Sequence, residues 1–456
     1  QRHLTIPCEM CIRDRGRMAR SSSSGDSESR FAAYVEALGM ALGHADRVVP
    51  LRNYCAGLLL PGDRNSIEPM AARVEPGRVQ AVHQSLHHLI AKADWSDAAV
   101  LAAIRAEVLP AIQKRGPIQA WIIDDTGFPK KGVHSVGVAR QYCGQLGKQE
   151  NCQVAVSLSV ANQQASLPVA WRLYLPKVWA EDAVRRAKAG VPDELRFATK
   201  PRIALEQIRT AQVDGIPVGT VLADAGYGVD TDFRDGITAL GLTYVVGIQS
   251  SASLWPPGQE PLPVKPWSGR GRPTSRVGRS ADHKPVSAKD LAASLPKDAW
   301  RRVTWRQGTN APLASRFAAI RVRPAHRDYN AATPRPEEWC LIEWPIGETE
   351  PTKFWLSTLP ATTSRTSLVR HAMLRWRIEC DYQEMKQEIG LGHYEGRGWR
   401  GFHHHATLCI AAYGFLIAER AVDACVDPPT AQPRTPFLQA PGIPDNYRPR
   451  GAADPA

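Results

Sequence analysis

Apolar residues recur at spacings of three and four in four stretches near the start of the chain: Phe31 to Leu42, Asn65 to Val74, Pro76 to Ala93 and Ser96 to Lys114. That period gathers them on one side of a 3.6-residue turn, so each stretch predicts an amphipathic helix, with Ser96 as a cap before Asp97. After Arg115 the period changes. Gln119 to Asp124, Ser135 to Tyr142, Cys152 to Val160 and Leu167 to Leu175 are short apolar or alternating runs, the pattern of strands. A helix over Arg202 to Val213 leads into an apolar strand ending at Asp224, and a helix over Asp230 to Leu240 and a strand over Thr243 to Ile248 follow. Antiparallel strands succeeded by alternating helix and strand predict an α/β fold.

Between Ser250 and Thr363 the composition shifts. Pro, Gly and Arg crowd Pro256 to Arg279, and Arg270, Arg272, Arg276 and Arg279 are spaced through a segment too rich in breakers for a regular element. Strand-like runs follow at Arg301 to Arg306, Phe317 to Val322, Trp339 to Trp344 and Lys353 to Leu359. This predicts a β-rich insertion carrying a basic loop, which is either a clamp on a polyanion or a solvated loop. An apolar helix over Ala406 to Ile417 closes the patterned part, and the prolines and small polar residues from Cys425 to Ala456 predict a disordered tail. At the other end, Met10 to Arg15 resembles an in-frame reading of a sequencing adapter, and a Ser run follows at 21–24. The expected organisation is a disordered or artefactual leader (1–27), a small helical domain (28–115), an α/β core in two parts (116–249 and 364–425) interrupted by the insertion (250–363), and the tail (426–456).

Charge and cysteines narrow the setting. Lys and Arg outnumber Asp and Glu by 57 to 45, a net charge of +12, and such a field attracts polyanions and speeds encounter with nucleic acid. Many basic proteins bind no nucleic acid, so this only supports a reading made on other grounds. A chain of 456 residues, 43% of them hydrophobic, can bury a large core and divide into two or three domains. The nine cysteines are odd in number and scattered, and only Cys8 and Cys11 have metal or redox spacing, with no second pair to complete a site. Cys143, Cys152, Cys340, Cys380 and Cys409 are expected as buried free thiols in a cytoplasmic protein. No apolar run reaches 18 residues, so no membrane span is expected.

The candidate chemistry lies at strand ends and on one late helix. Ala120-Trp121-Ile122-Ile123 runs into Asp124-Asp125-Thr126-Gly127, and Val218-Gly219-Thr220-Val221-Leu222-Ala223 into Asp224-Ala225-Gly226-Tyr227-Gly228. Both are apolar strands expected to end in a carboxylate beside a Gly-containing turn, where open α/β sheets carry functional groups, although an Asp there is often only a turn or cap residue. Successive strand residues point to opposite faces, so only one of Asp124 and Asp125 can reach a common site with Asp224. Downstream, Arg375, Glu379, Tyr382 and Lys386 fall at spacings of four, three and four, which predicts one helix face with a carboxylate between cations. An exposed helix laced with ion pairs has the same pattern. His403, His404 and His405 cannot all ligate one ion, because adjacent helical residues point about 100° apart. Hydrogen bonding in the core or to a phosphate is the expected role.

These residues carry a resemblance. Arg375-Trp376-Arg377-Ile378-Glu379 with Lys386, the strings 124–132 and 137–142, and Trp399 to His405 resemble the DDE transposases of bacterial insertion sequences, of the insertion sequence 701 type, over roughly residues 30 to 425. These are related to the insertion sequence 4 group, which has a β-strand insertion before the last acid. The resemblance implies a ribonuclease-H-like core preceded by a helical domain for DNA end binding or dimerisation. It also implies metal-dependent cleavage and strand transfer of an insertion sequence.

Asp124, Asp224 and Glu379 would then hold two Mg²⁺ ions, with Mn²⁺ able to substitute. The family's Asp-x-Thr pattern favours Asp124 over Asp125. Arg375 and Lys386 would position DNA phosphates, and Arg270 and Arg272 would grip the backbone. The tyrosine that the family has seven residues before the Glu is Ala372 here, so Tyr382 is the candidate for its phosphate contact. Hairpin-forming relatives place a tryptophan in the strand before the catalytic helix. Trp355 is the candidate to stack on a base, or is simply core. The implied partners are terminal inverted repeats and target DNA, bound by a homodimer on paired ends in the bacterial nucleoid. Two rivals share these residues: a ribonuclease-H-like nuclease without strand transfer, and a transposase-derived DNA-binding protein that no longer catalyses.

Overall fold

The computed structural model describes residues 24–426 apart from 63, 271–274 and 308–310. Its helices are α1 (Ser24–Met40), α2 (Val48–Leu59), α3 (Ile67–Val74), α4 (Val79–Ala91), α5 (Asp97–Lys114), α6 (Lys177–Ala180), α7 (Ala183–Ala189), α8 (Lys200–Val213), α9 (Ala225–Gly228), α10 (Thr231–Ala239), α11 (Ala288–Ser294), α12 (Arg365–Leu374), α13 (Trp376–Glu384) and α14 (Trp399–Val426). The strands are β1 (Ala120–Pro129), β2 (Ala139–Cys143), β3 (Lys148–Ala161), β4 (Ser166–Leu173), β5 (Thr220–Ala223), β6 (Tyr244–Ile248), β7 (Ser253–Trp255), β8 (Val286–Ser287), β9 (Arg301–Gln307), β10 (Pro312–Pro324), β11 (Glu338–Trp344) and β12 (Lys353–Ser357). They group into two compact units.

The first unit, Leu109–Gln383 with Arg397–Trp399, holds the sheet. Its order is β2-β3-β1-β5-β6-β12-β11-β10-β7-β8, with β4 on β3 and β9 on β10. β1, β5 and β6 run parallel and β3 runs antiparallel to β1, so the fold is α/β with a ribonuclease-H-like core. Trp121, Ile122 and Ile123 are wholly buried because both faces of β1 are covered, which is why the run reads as continuously apolar. The insertion adds strands to this same sheet, because β12 pairs with β6 and β11 with β12.

Two expectations change here. β1 does not end at Asp124 but continues to Pro129, since Thr126 to Phe128 stay paired with β3. The strand expected from Ser135 begins only at Ala139, because Gly137 adopts φ 71° and breaks the extended run.

The second unit combines the described part of Ala19–Val108 with Glu384–Gly396 and the described residues from Arg400 onward. α14, expected in the second half of the core, is instead the axis of this helical unit. It is apolar on every side and correspondingly buried from Phe402 to Tyr413. Tyr34 donates to the Ala411 carbonyl at 2.9 Å, and Phe31 meets Phe415 edge-on at 5.1 Å. α2 was not expected, because Pro50 interrupts its sequence. Pro50 sits in the first turn, where its missing N–H has no helical partner to lose.

All three histidines are buried, and His404 and His405 serve as core hydrogen-bonding groups. His405 meets Tyr54 Oη at 2.7 Å, and His404 stacks on Trp95 at 3.6 Å with its ring nitrogens 3.1 and 3.0 Å from the carbonyls of Ile90 and Trp95. Burial pulls the His404 imidazole down to about 4, although those carbonyls and Asp97 favour the proton; Arg400 works with burial. His404 is therefore neutral when folded, and its stabilisation is complete above the ordinary value near 6.5 and is lost as pH falls toward 4. The loss should be about 3 kcal/mol. Urea unfolding of wild type and His404→Gln at pH 7 and pH 4.5 checks this, and an identical pH dependence in both would refute it.

Among the described residues no helix is long and apolar enough to cross a membrane. Cys55, Cys143, Cys152, Cys340 and Cys409 are buried free thiols, and Cys380 is half-exposed.

Candidate active site

Strand register brings the first two acids together. β1 and β5 pair as Ala120↔Thr220, Trp121↔Val221 and Ile122↔Leu222, so carrying the register two residues further sets Asp124 level with Asp224. Asp224 is the first residue past β5 and caps α9, its Oδ1 accepting from the backbone N–H of Gly226 at 2.9 Å and of Tyr227 at 3.3 Å. Such a cap fixes the carboxylate's rotamer at the mouth of the sheet.

The choice between Asp124 and Asp125 follows from the faces of β1. Asp124 pairs with Ser157, whose hydroxyl bonds Tyr382 Oη at 2.7 Å, so Asp124 lies on the face covered by α13. Asp125 pairs with Val156, whose carbonyl accepts from Gln207 on α8 at 3.0 Å. On that face the Asp125 Oδ2 accepts from Lys200 Nζ at 2.8 Å and from the Tyr227 hydroxyl at 3.1 Å. The two carboxylates thus serve opposite sides of one strand.

Glu379 reaches Asp124 through a shared cation. Arg375 donates Nη1 to Asp124 Oδ2 at 2.8 Å and Nη2 to Glu379 Oε1 at 2.6 Å, which seats both acids on one guanidinium. Burial pushes the Asp124 carboxyl up to about 7; Arg375 opposes the rise, while Asp224 and Asp125 add to it. Burial would lower Arg375, yet Asp124, Glu379 and Asp224 together hold it above its ordinary value. The cluster sets Asp124 and Arg375 in a poorly solvated place, with Glu379 at its solvent-exposed edge. Among the described residues no three His, Cys, Asp or Glu side chains are already arranged to hold a metal ion, and here a guanidinium stands between two of the acids. The donor set nevertheless suits a hard cation, being oxygen alone, and Arg375 is a stand-in positive charge at the place such a cation would take.

The remaining expected residues are placed differently. Tyr382 points into the core, 8% exposed, so its hydroxyl braces β3 rather than facing solvent. Lys386 falls in a π-helical turn, Met385–Ile389, so the spacing that would stack it above Tyr382 ends with α13 at Glu384. Trp355 is a core residue, 8% exposed, between Leu341 of β11 and Gly247 of β6, and offers no free ring face for a base. Arg270 is exposed, and Arg272 lies outside the described residues. Arg279, from the same basic segment, is committed to the buried Asp328 and to the Ala325 carbonyl at 2.8 Å.

Sequence reasoning missed Lys200 and Tyr227, whose contacts with Asp125 are purely tertiary. It also missed Arg306 of β9, whose guanidinium lies 3.8 Å from the ring centroid of Trp376 on α13.

Fold and site together describe a ribonuclease-H-like chain with three acids converging from two strands and a late helix. Residues 37–312 match the family model of the DDE superfamily endonucleases, more than half of the chain, and the protein belongs to that family. The matched region contains Asp124 and Asp224 and stops short of Glu379. The chain is also similar to a probable transposase for insertion sequence element IS701 from Microchaete diplosiphon, at 35% identity over 169 residues. That match spans 37% of this chain and 41% of the relative.

Proposed function

We propose that the protein is a transposase that cuts and joins DNA at Asp124, Asp224 and Glu379. The observation that carries this reading is the single guanidinium seated between Asp124 and Glu379, beside an Asp224 brought level by strand register. The three carboxylates would hold two Mg²⁺ ions, or Mn²⁺ in their place. When bound, such ions sharpen water or a DNA 3′-hydroxyl as nucleophile and neutralise the leaving oxygen. The chain's own contribution is placement. Asp224 is held by its cap and Asp124 by its strand, while Glu379 is carried on α13, which Tyr382 pins to β3. Arg375 would neutralise a phosphate flanking the bond to be cut, and Lys386 would add a contact to the DNA backbone. Terminal inverted repeats and target DNA are the substrates, and joining two ends calls for a homodimer. A cytoplasmic, nucleoid-associated setting goes with that role.

Asp124→Asn and Asp125→Asn test the assignment, since each exchanges one charge on one strand. On duplexes carrying the element's end, Asp124→Asn should lose cleavage by roughly a thousandfold, as removing a transition-state contact does. Asp125→Asn should cost no more than about 10–100-fold, the scale of a disturbed supporting contact. The reverse order would move the site to the other face of β1. Joined products in reactions with added target DNA separate a transposase from a nuclease that only cuts, which would leave nicks alone. Wild-type binding without any cleavage would favour the inactive DNA-binding rival.

A further inference from the structure

One segment is charged out of proportion to its role in the acid cluster. From Thr126 to Gln149 there is no Asp or Glu, but there are four cations: Lys130, Lys131, Arg140 and Lys148. These residues form the outer half of β1, the loop after it, the edge strand β2 and the hairpin into β3. β2 ends the sheet on this side, and along it Arg140 and Tyr142 alternate outward while Ala139, Gln141 and Cys143 turn inward. Tyr142 is 48% exposed. A Cβ built on Gly132, Gly144 or Gly147 would meet nothing within 4 Å, so the backbone of the loop and of the hairpin tip is open to close approach.

The loop is also held in place. Asn151 Nδ2 donates to the carbonyls of Lys130 at 2.7 Å and Gly132 at 2.9 Å, Gln153 Nε2 to that of Val136 at 2.6 Å, and Trp179 Nε1 to that of Val138 at 2.7 Å. The nearest carboxylate along the chain after this stretch, Glu150, is turned to Lys148 at 3.3 Å. A fixed surface with cations, an aromatic and open backbone, whose neighbouring acid Glu150 is already engaged by Lys148 and Arg140, is complementary to phosphates. Its exposed apolar residues, Val133 and Leu146, stand singly rather than as a protein-docking patch.

We propose that this basic hairpin is a second DNA-binding surface, gripping the duplex backbone several base pairs from the bond held at the acids. The proposal rests on the acids cutting DNA. Asp124 lies five residues before the end of β1 at Pro129 and Lys131 lies two residues beyond it in a bend, so at about 3.3 Å per residue they are at most roughly 23 Å apart. At about 3.4 Å per base pair that is at most six or seven base pairs along the duplex.

The test uses the full chain and end-bearing duplexes of graded length on either side of the cut bond. Lys131→Ala/Arg140→Ala should weaken binding to long duplexes at least tenfold and flatten the plot of log affinity against log salt by about two, one for each lost phosphate contact. On duplexes cut back to about four base pairs on one side, which no longer span the interval, the variant should bind and be cleaved like wild type. Tyr142→Ala should weaken binding without changing the slope, and thermal melting should show each variant folded. Wild-type slope and affinity in the double variant, with wild type itself cleaving, would overturn the hairpin and leave the acids standing. A wild type that neither binds nor cuts any duplex would overturn both. Loss of self-association with DNA affinity intact would assign the surface to a protein contact and overturn the proposal.

Discussion

Glu379→Gln should leave the protein folded and able to bind DNA while its cleavage rate falls by roughly a thousandfold or more, the scale on which a lost transition-state charge contact acts. The glutamine keeps the shape and one hydrogen bond to Arg375 but cannot offer a full negative charge to a cation. The Glu379 side chain is 59% exposed and its ion pair with Arg375 is partly hydrated, so stability should change by less than about 1 kcal/mol. Arg375→Ala and Lys386→Ala should act differently, each flattening the salt dependence of binding by about one. Cleavage by Glu379→Gln at the wild-type rate in Mg²⁺ or Mn²⁺ would remove Glu379 from the site. Equal loss of DNA binding in all three variants would make α13 a structural helix only.

Gly228→Ala should be the most destabilising small substitution near the acids. A Cβ at Gly228 would lie 1.9 Å from the carbonyl oxygen of Gly247 on β6, and a Cβ at Gly247 would lie 2.8 Å from the backbone nitrogen of Ala225. Backbone opposes backbone here, so no rotamer change can relieve the overlap, and α9 would have to lift from the sheet. Asp224 caps α9 and would move with it. The expected cost is about 3 kcal/mol, with cleavage falling alongside. Gly132→Ala, which meets no atom within 4 Å, is the matched control. Urea unfolding decides, and a Gly228→Ala midpoint equal to that of Gly132→Ala would show that the close approach is not tight in solution.

What could be read beforehand divides by the range of the interactions. The buried strands at β1 and β5 and their acids were legible because full burial leaves an unbroken apolar run that a carboxylate must interrupt for a reason. The end of β1 was not, because Gly127 and Pro129 carry the local signature of a turn while pairing with β3 overrides it. α12 to α13 showed the right charges, but helical spacing cannot reveal a π turn at Lys386 or say which face meets a sheet. Tyr382 therefore read as a phosphate contact, whereas it is a buried brace. Trp355 likewise lay at a sensible position along its strand, yet its burial depends on β6 and β11 from opposite sides. α14 was recognised as a helix, but an apolar stretch does not name its neighbours, and these are the N-terminal helices.

The seat of Arg375 changes what it means to load the acids. With a guanidinium already bridging Asp124 and Glu379, a divalent ion shared by these two acids, as proposed, would have to displace the occupant. Displacement ties affinity to the destination of the displaced group, and for an arginine freed beside a DNA-cutting site the best destination is a phosphate. Ion and DNA would then each favour the other's arrival by the same factor, as linkage requires. If the acids act as proposed, such a protein would be armed by its substrate, with magnesium alone unable to load the site until DNA gave Arg375 somewhere else to go.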